Sequence, residues 1–90
     1  MSKIKITHPS QEELEKLNVK AWSPWSSDVS TFDWEYPEEE ICYIQEGFVT
    51  IETEDGEQVD IQKGDLVTFP KGMKCTWHVK EKVRKVYTFQ

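Results

Sequence analysis
Ninety residues with a formal net charge of −6, four Trp, four Phe and three Tyr describe one small aromatic-rich domain with a thin core. The aromatic content excludes a disordered chain, and the acidic balance disfavours nucleic acid as a partner. No apolar run approaches the roughly 20 residues that span a bilayer, so no membrane partner is expected.

The chain opens on MSKIKITHPSQEELEKL, which lacks the apolar stretch of a secretory signal. That start points to the cytosol, or to an organelle after removal of a transit peptide. The KIKI run at 3–6 is a short strand suited to a partner's sheet edge. Ser10-Gln-Glu-Glu13 has the form of a capping box, and Leu14 and Leu17 follow at helical spacing. One short helix is expected over about 10–18. Residues 1–20 form an arm and helix, and a barrel fills about 21–90. Trp22 and Trp25 flank Pro24 and are expected to cover the barrel edge or a dimer contact.

From Asp28 onward the pattern is β. Seven runs rich in Val, Ile, Thr and aromatics follow: DVSTFDWEY, EICYIQE, FVTIETE, EQVDIQ, DLVTFP, KCTWHVK and VRKVYTFQ. Glu54-Asp55-Gly56-Glu57 reads as a two-residue hairpin turn. Lys63-Gly64-Asp65 and Pro70-Lys71-Gly72 mark two further turns. Short strands at this density predict an all-β domain, an antiparallel barrel or sandwich, with one short N-terminal helix. Charge is uneven along it: residues 1–65 sum to −11 and residues 66–90 to +5. The plain reading is a solvated surface; the sharper one is a basic rim that steers an anionic ligand.

Two spacings are specific. Glu40 is followed after six residues by Gly47, with Trp34 and Tyr36 ahead of it; Gly64-DLVTF-Pro70-Lys71-Gly72 is followed by Cys75. These reproduce the frames of the two cupin motifs, G-x5-H-x-H-x3,4-E-x6-G and G-x5-P-x-G-x2-H-x3-N. Of the four ligand places only Glu40 is kept: Trp34, Tyr36 and Cys75 stand where the motifs have histidine. With FDWEY, EICYIQEG, KGDLVTFPKG, CTWHV and VRKVY, the chain over roughly 20–90 resembles the small single-domain cupins of the DUF861, or Cupin_3, family. Members include domains labelled as ethanolamine-utilisation or ureidoglycine-aminohydrolase cupins. The resemblance implies a jelly-roll β-barrel, commonly a homodimer.

Strand alternation then sorts the side chains. If Glu40 faces inward, so do Cys42 and Ile44; if Cys75 does, so does Trp77, while His78 points away. Trp34 and Tyr36 share a face. Arg84 and Lys85 alternate, so one of them can enter the lumen and pair with Glu40; the resemblance favours Lys85, with Tyr87. The candidate ligand-binding set is therefore Trp34, Tyr36, Glu40, Cys42, Cys75, Trp77, Lys85 and Tyr87.

A carboxylate among aromatics is a candidate general acid or base, and Glu40 is the candidate catalytic residue, against the alternative that it only pins strands. A phenol, two thiols and one carboxylate are an unusual zinc set; no metal and no cofactor are expected. Cys42 and Cys75 read first as buried thiols. The leading expectation is a metal-free cupin that binds a small polar or amide-like molecule. A metal-dependent aminohydrolase-like enzyme and a non-enzymatic dimeric interaction module are the alternatives.

Overall fold
The computed structural model describes residues 3–89. Its helix α1 spans Gln11–Leu17. Ser10 and Glu13 satisfy each other's backbone N–H groups, and Asn18 ends the helix in the left-handed conformation. A 3-10 turn follows at Val19–Ala21.

Seven strands make up the rest: β1 Lys5–Thr7, β2 Ser23–Ser27, β3 Ser30–Glu35, β4 Glu40–Thr53, β5 Gln58–Gln62, β6 Leu66–Phe69 and β7 Lys74–Phe89. All pairings are antiparallel. The long strands β4 and β7 pair along their whole length and form the spine. Beside one half of that spine lie β6 with β1 and, on the far side, β2; beside the other half lie β5 and β3.

Four expectations change here. The runs EICYIQE and FVTIETE are one strand, as are KCTWHVK and VRKVYTFQ. The register of β4 against β7 shifts between Ile44 and Val49. Before the shift the even residues Glu40, Cys42 and Ile44 are buried; after it the odd residues Val49 and Ile51 are. A bulge can flip the buried face without ending a strand. Gly47 sits at this bend with φ +105°, where a Cβ would collide with the Lys82 carbonyl and lie 2.7 Å from Val83 Cα. The sequence reads this glycine as a break; the fold uses it as a crossing point.

The second change is β2, formed by SPWSS, a segment ahead of the strand runs read from Asp28 onward. It pairs with residues 83–87 of β7 and sets Trp25 opposite Lys85. The third is the KIKI run, whose Lys5 and Ile6 pair with β6 of the same chain. The turn after β4 is also longer than expected: Thr53 N–H bonds Glu57 O at 2.9 Å, leaving 54–56 as the loop.

One apolar core lies inside the spine, built from Cys42, Ile44, Val49, Ile51, Ile61, Val67, Phe69 and Val83 among others. At one end that aliphatic core gives way to stacked rings. Tyr36 lies on Phe69 with centroids 4.6 Å apart, and Phe32 lies on Trp77 at 5.9 Å.

Candidate functional site
The aromatic end of the interior opens into a cavity of about 520 Å³. Its polar floor is made by Glu40 at the start of β4 and Lys85 on β7. The cross-strand pairs Ile44–Lys85, Cys42–Tyr87 and Glu40–Phe89 place all six side chains along one stretch of the spine. The long Lys85 side chain reaches over the Cys42–Tyr87 pair and donates to Glu40 Oε2 at 2.8 Å. Both residues are buried, with 6% and 3% of their surface exposed. A buried ion is tolerated only when paired, because desolvating it alone is expensive.

Rings complete the surroundings of the ammonium. Lys85 Nζ is 4.6 Å from the Trp77 ring centre, 5.1 Å from Trp25 and 5.5 Å from Tyr87. The negative faces of these rings favour a cation at that point. Trp77 in turn donates its indole N–H to Tyr36 Oη at 3.1 Å. The backbone holds Tyr36 in place through Tyr36 N to Met73 O and Gly72 N to Tyr36 O, at 3.0 and 2.7 Å. The turn at 70–73 thereby positions a wall of the cavity. Burial, and then the Glu40 carboxylate, push the Tyr36 phenol far above its ordinary range. Tyr36 is therefore a neutral hydrogen-bonding group at any physiological pH.

Six of the eight candidate side chains come together here: Trp34, Tyr36, Glu40, Trp77, Lys85 and Tyr87 line the cavity. Trp34 is half-exposed at the rim, packed edge-on against Tyr36. The two cysteines stand apart. Cys42 is fully buried in the core, and Cys75 borders a groove on the other side. Both are free thiols. Burial pushes Cys42 up to about 12 and Cys75 up to about 11, so thiolate, the reactive form, is scarce at neutral pH. His78 pairs outward with Glu52, its Nε2 3.0 Å from Oε1.

Trp25, Phe32 and Phe89 also line the cavity. Trp25 packs edge-on against Phe32 and Trp77 and covers Lys85, a role different from the edge cover expected of it. Its presence became legible only with β2. Phe89, 43% exposed, faces the mouth from the end of β7.

A larger depression, about 790 Å³, lies on the far side of Trp34 and holds Asp33, Glu35, Glu52, Glu54 and Lys74. Its charges sit at the surface, where water screens them. Among the described residues no three His, Cys, Asp or Glu side chains converge in a way that could hold a metal ion. At the cupin ligand places, Glu40 is engaged by Lys85, Cys75 is held as a thiol and Tyr36 as a phenol. This donor set does not fit the imidazole-bound metal of the motif.

Residues 14–87 match the EutQ-like cupin domain family, Cupin_3. The chain belongs to this family. Its fold is that of a DUF861 family protein from Thermotoga maritima, with a TM-score of 0.96 and 51% identity over 98% of this chain and 100% of that one. It is similar to the Clostridium difficile EutQ protein structure, with a TM-score of 0.66 and 31% identity over 71% of this chain and 50% of that one. A curated relative, acetate kinase EutQ from Clostridioides difficile strain 630, is 36% identical over 58 residues, which are 64% of this chain. The match spans about a third of that protein's length, 36%. The cupin barrel expected from the sequence is thus the fold observed.

Proposed function
We propose that this cupin domain binds a small, neutral, amide-like molecule in the aromatic cavity, with Glu40 and Lys85 as the anchoring pair. The observation that carries the reading is the buried 2.8 Å ion pair at the floor of an otherwise apolar cavity. Among the described residues lining the cavity, Glu40 and Lys85 alone carry charge, and they cancel. A charged ligand would leave one buried charge uncompensated, which is costly. A neutral ligand with one donor and one acceptor meets both groups and disturbs neither. The apolar walls supply contact area, and the few polar atoms fix orientation, as is general for small-molecule sites.

Glu40 also has the position of an acid–base group, since a proton can pass between it and a ligand held against Lys85. We keep this as the candidate chemistry, without a metal, because the side chains at the cupin ligand places do not form a metal-binding set. The acetate kinase name belongs to a much longer protein. A phosphoryl donor calls for excess positive charge, and the single cavity lysine is already neutralised by Glu40.

The test is a melting-temperature screen of neutral amides, with amino acids, sugars and anions as the other arms. Hits are repeated on Glu40→Gln and on Trp34→Ala, the latter a half-exposed rim residue whose loss leaves the core packed. At least one neutral amide is expected to raise the melting temperature, and both substitutions are expected to weaken it. Hits that bind Glu40→Gln as well as wild type would overturn the anchor, and a screen with no hit would favour the interaction-module reading.

A further inference from the structure
We infer that the ligand presents a cis amide edge, an N–H and a C=O side by side as in a lactam, an imide or a primary amide, in preference to an open-chain secondary amide. This rests on the amide-binding reading and narrows it to a chemical class.

The argument is geometric. Lys85 Nζ and Glu40 Oε2 are 2.8 Å apart and lie on the same floor. Lys85 has three N–H donors and gives one to Glu40. A ligand must offer an acceptor to Lys85 and a donor to the Glu40 carboxylate at nearly the same place. In an amide the nitrogen and oxygen are roughly 2.2 Å apart, as the C–N and C=O bond lengths dictate. That spacing matches the pair only if N–H and C=O point the same way. An open-chain secondary amide is trans, with N–H and C=O pointing in opposite directions, and its cis form is strongly disfavoured. It satisfies Lys85 or Glu40, never both, and leaves the other facing an apolar group. A ring fixes the amide cis without that cost, and a primary amide carries a second N–H already on the carbonyl side.

The walls favour the flat members of the class. Phe32 and Trp77 stack on each other beside the floor, within 13° of parallel, and Trp34 and Phe89 stand half-exposed at the mouth. A planar ring entering edge-first passes this exposed aromatic rim and meets the ion pair at its leading edge. The cavity of about 520 Å³ has room for a bicyclic molecule.

The experiment compares four compounds of similar size on the full-length protein by calorimetric titration: carbostyril, a flat bicyclic lactam; its N-methyl derivative, which keeps shape and carbonyl but loses the donor; benzamide, a primary amide; and acetanilide, a trans secondary amide. Carbostyril and benzamide are expected to bind, and the N-methyl lactam and acetanilide to bind at least tenfold more weakly. Glu40→Gln is expected to shrink the gap between carbostyril and its N-methyl derivative, with Trp34→Ala weakening all four alike. If acetanilide binds as tightly as carbostyril, the cis-edge inference is wrong while the amide pocket stands. If all four bind wild type and Glu40→Gln equally, or none binds at all, the inference and the pocket reading both fall.

Discussion
Lys85 and Glu40 hold each other's charge inside the protein, so removing either alone strands the other. Glu40→Met or Lys85→Met is expected to cost about 3–5 kcal/mol of stability, the usual penalty for breaking a buried pair. The double replacement Glu40→Met with Lys85→Met should cost clearly less than the two singles together. Urea unfolding of the four proteins checks this; additive losses would mean that the two groups do not depend on each other. The buried thiol makes a second prediction. The folded protein keeps the Cys42 proton up to about 12, from an ordinary value of 9.0, because burial disfavours the thiolate. The unfolded chain releases it near 9, so the native state binds more protons in between. Stability is then fully present below about pH 9 and falls as pH climbs toward about 12. Tyr36, raised in the same direction, adds to the alkaline loss. Cys42→Ala should flatten the decline measured between about pH 8 and about pH 11, and an equally steep decline would count against the burial account. Under native conditions at neutral pH both thiols should label slowly, and fast on denaturation. At this scale the sequence was informative for a physical reason: alternation along a strand groups Glu40 with Cys42 and Ile44, Cys75 with Trp77 and Trp34 with Tyr36, while the choice of Lys85 over Arg84 rested on the family resemblance. Trp25 was hidden because Ser-Pro-Trp-Ser-Ser carries no alternation of apolar residues. What makes it a strand is its pairing with a distant segment of β7.

At the scale of elements, the bend in the spine decides where the cavity lies. The register shift between Ile44 and Val49 turns the inward face of β4 over, and Gly47 lets the Lys82–Val83 backbone pass close by. Gly47→Ala places a methyl group against that backbone at a positive φ. We expect a loss of about 1–3 kcal/mol or more from overpacking, with added backbone strain. Thermal unfolding reads the loss; an unchanged midpoint would mean that the crossing relaxes freely. Local sequence could not show this bend, because a glycine after a strand-like run has the same signature at a turn as at a bulge. Helix α1 was legible by contrast, since its capping box is a local signal with a local consequence. The cysteines show the limit of parity: it places Cys42 and Cys75 on inward faces, and both are buried. Which inward residues reach the cavity, and which end in the core behind it, depends on the sheet's curvature, which a pattern of alternation does not encode.

At the scale of the molecule, the acidic and basic halves of the chain meet through exposed pairs. Lys71 lies 3.8 Å from Glu38 and Arg84 3.4 Å from Glu46; such pairs contribute little to stability. The thin core of a ninety-residue barrel and the free edges of its outer strands favour assembly with a second copy. We predict a two-fold homodimer at micromolar concentration, checked by light scattering; a monomer there would contradict it. The family was legible as a resemblance, because Glu40–Gly47 and Gly64–Gly72 keep the frames of the two motifs and runs such as EICYIQEG and KGDLVTFPKG accompany them. The ligand was not, since the residues at the ligand places depart from the motif and their chemistry had to be read from the cavity they build. That cavity is the centre of the account, and a crystal structure of the protein with its tightest-binding neutral amide tests it most directly. The account predicts the amide against the floor, its carbonyl oxygen accepting from Lys85 Nζ and its N–H donating to the Glu40 carboxylate. A ligand seated in the acidic groove beside Glu52, or in the cavity with Glu40 and Lys85 untouched, would contradict it.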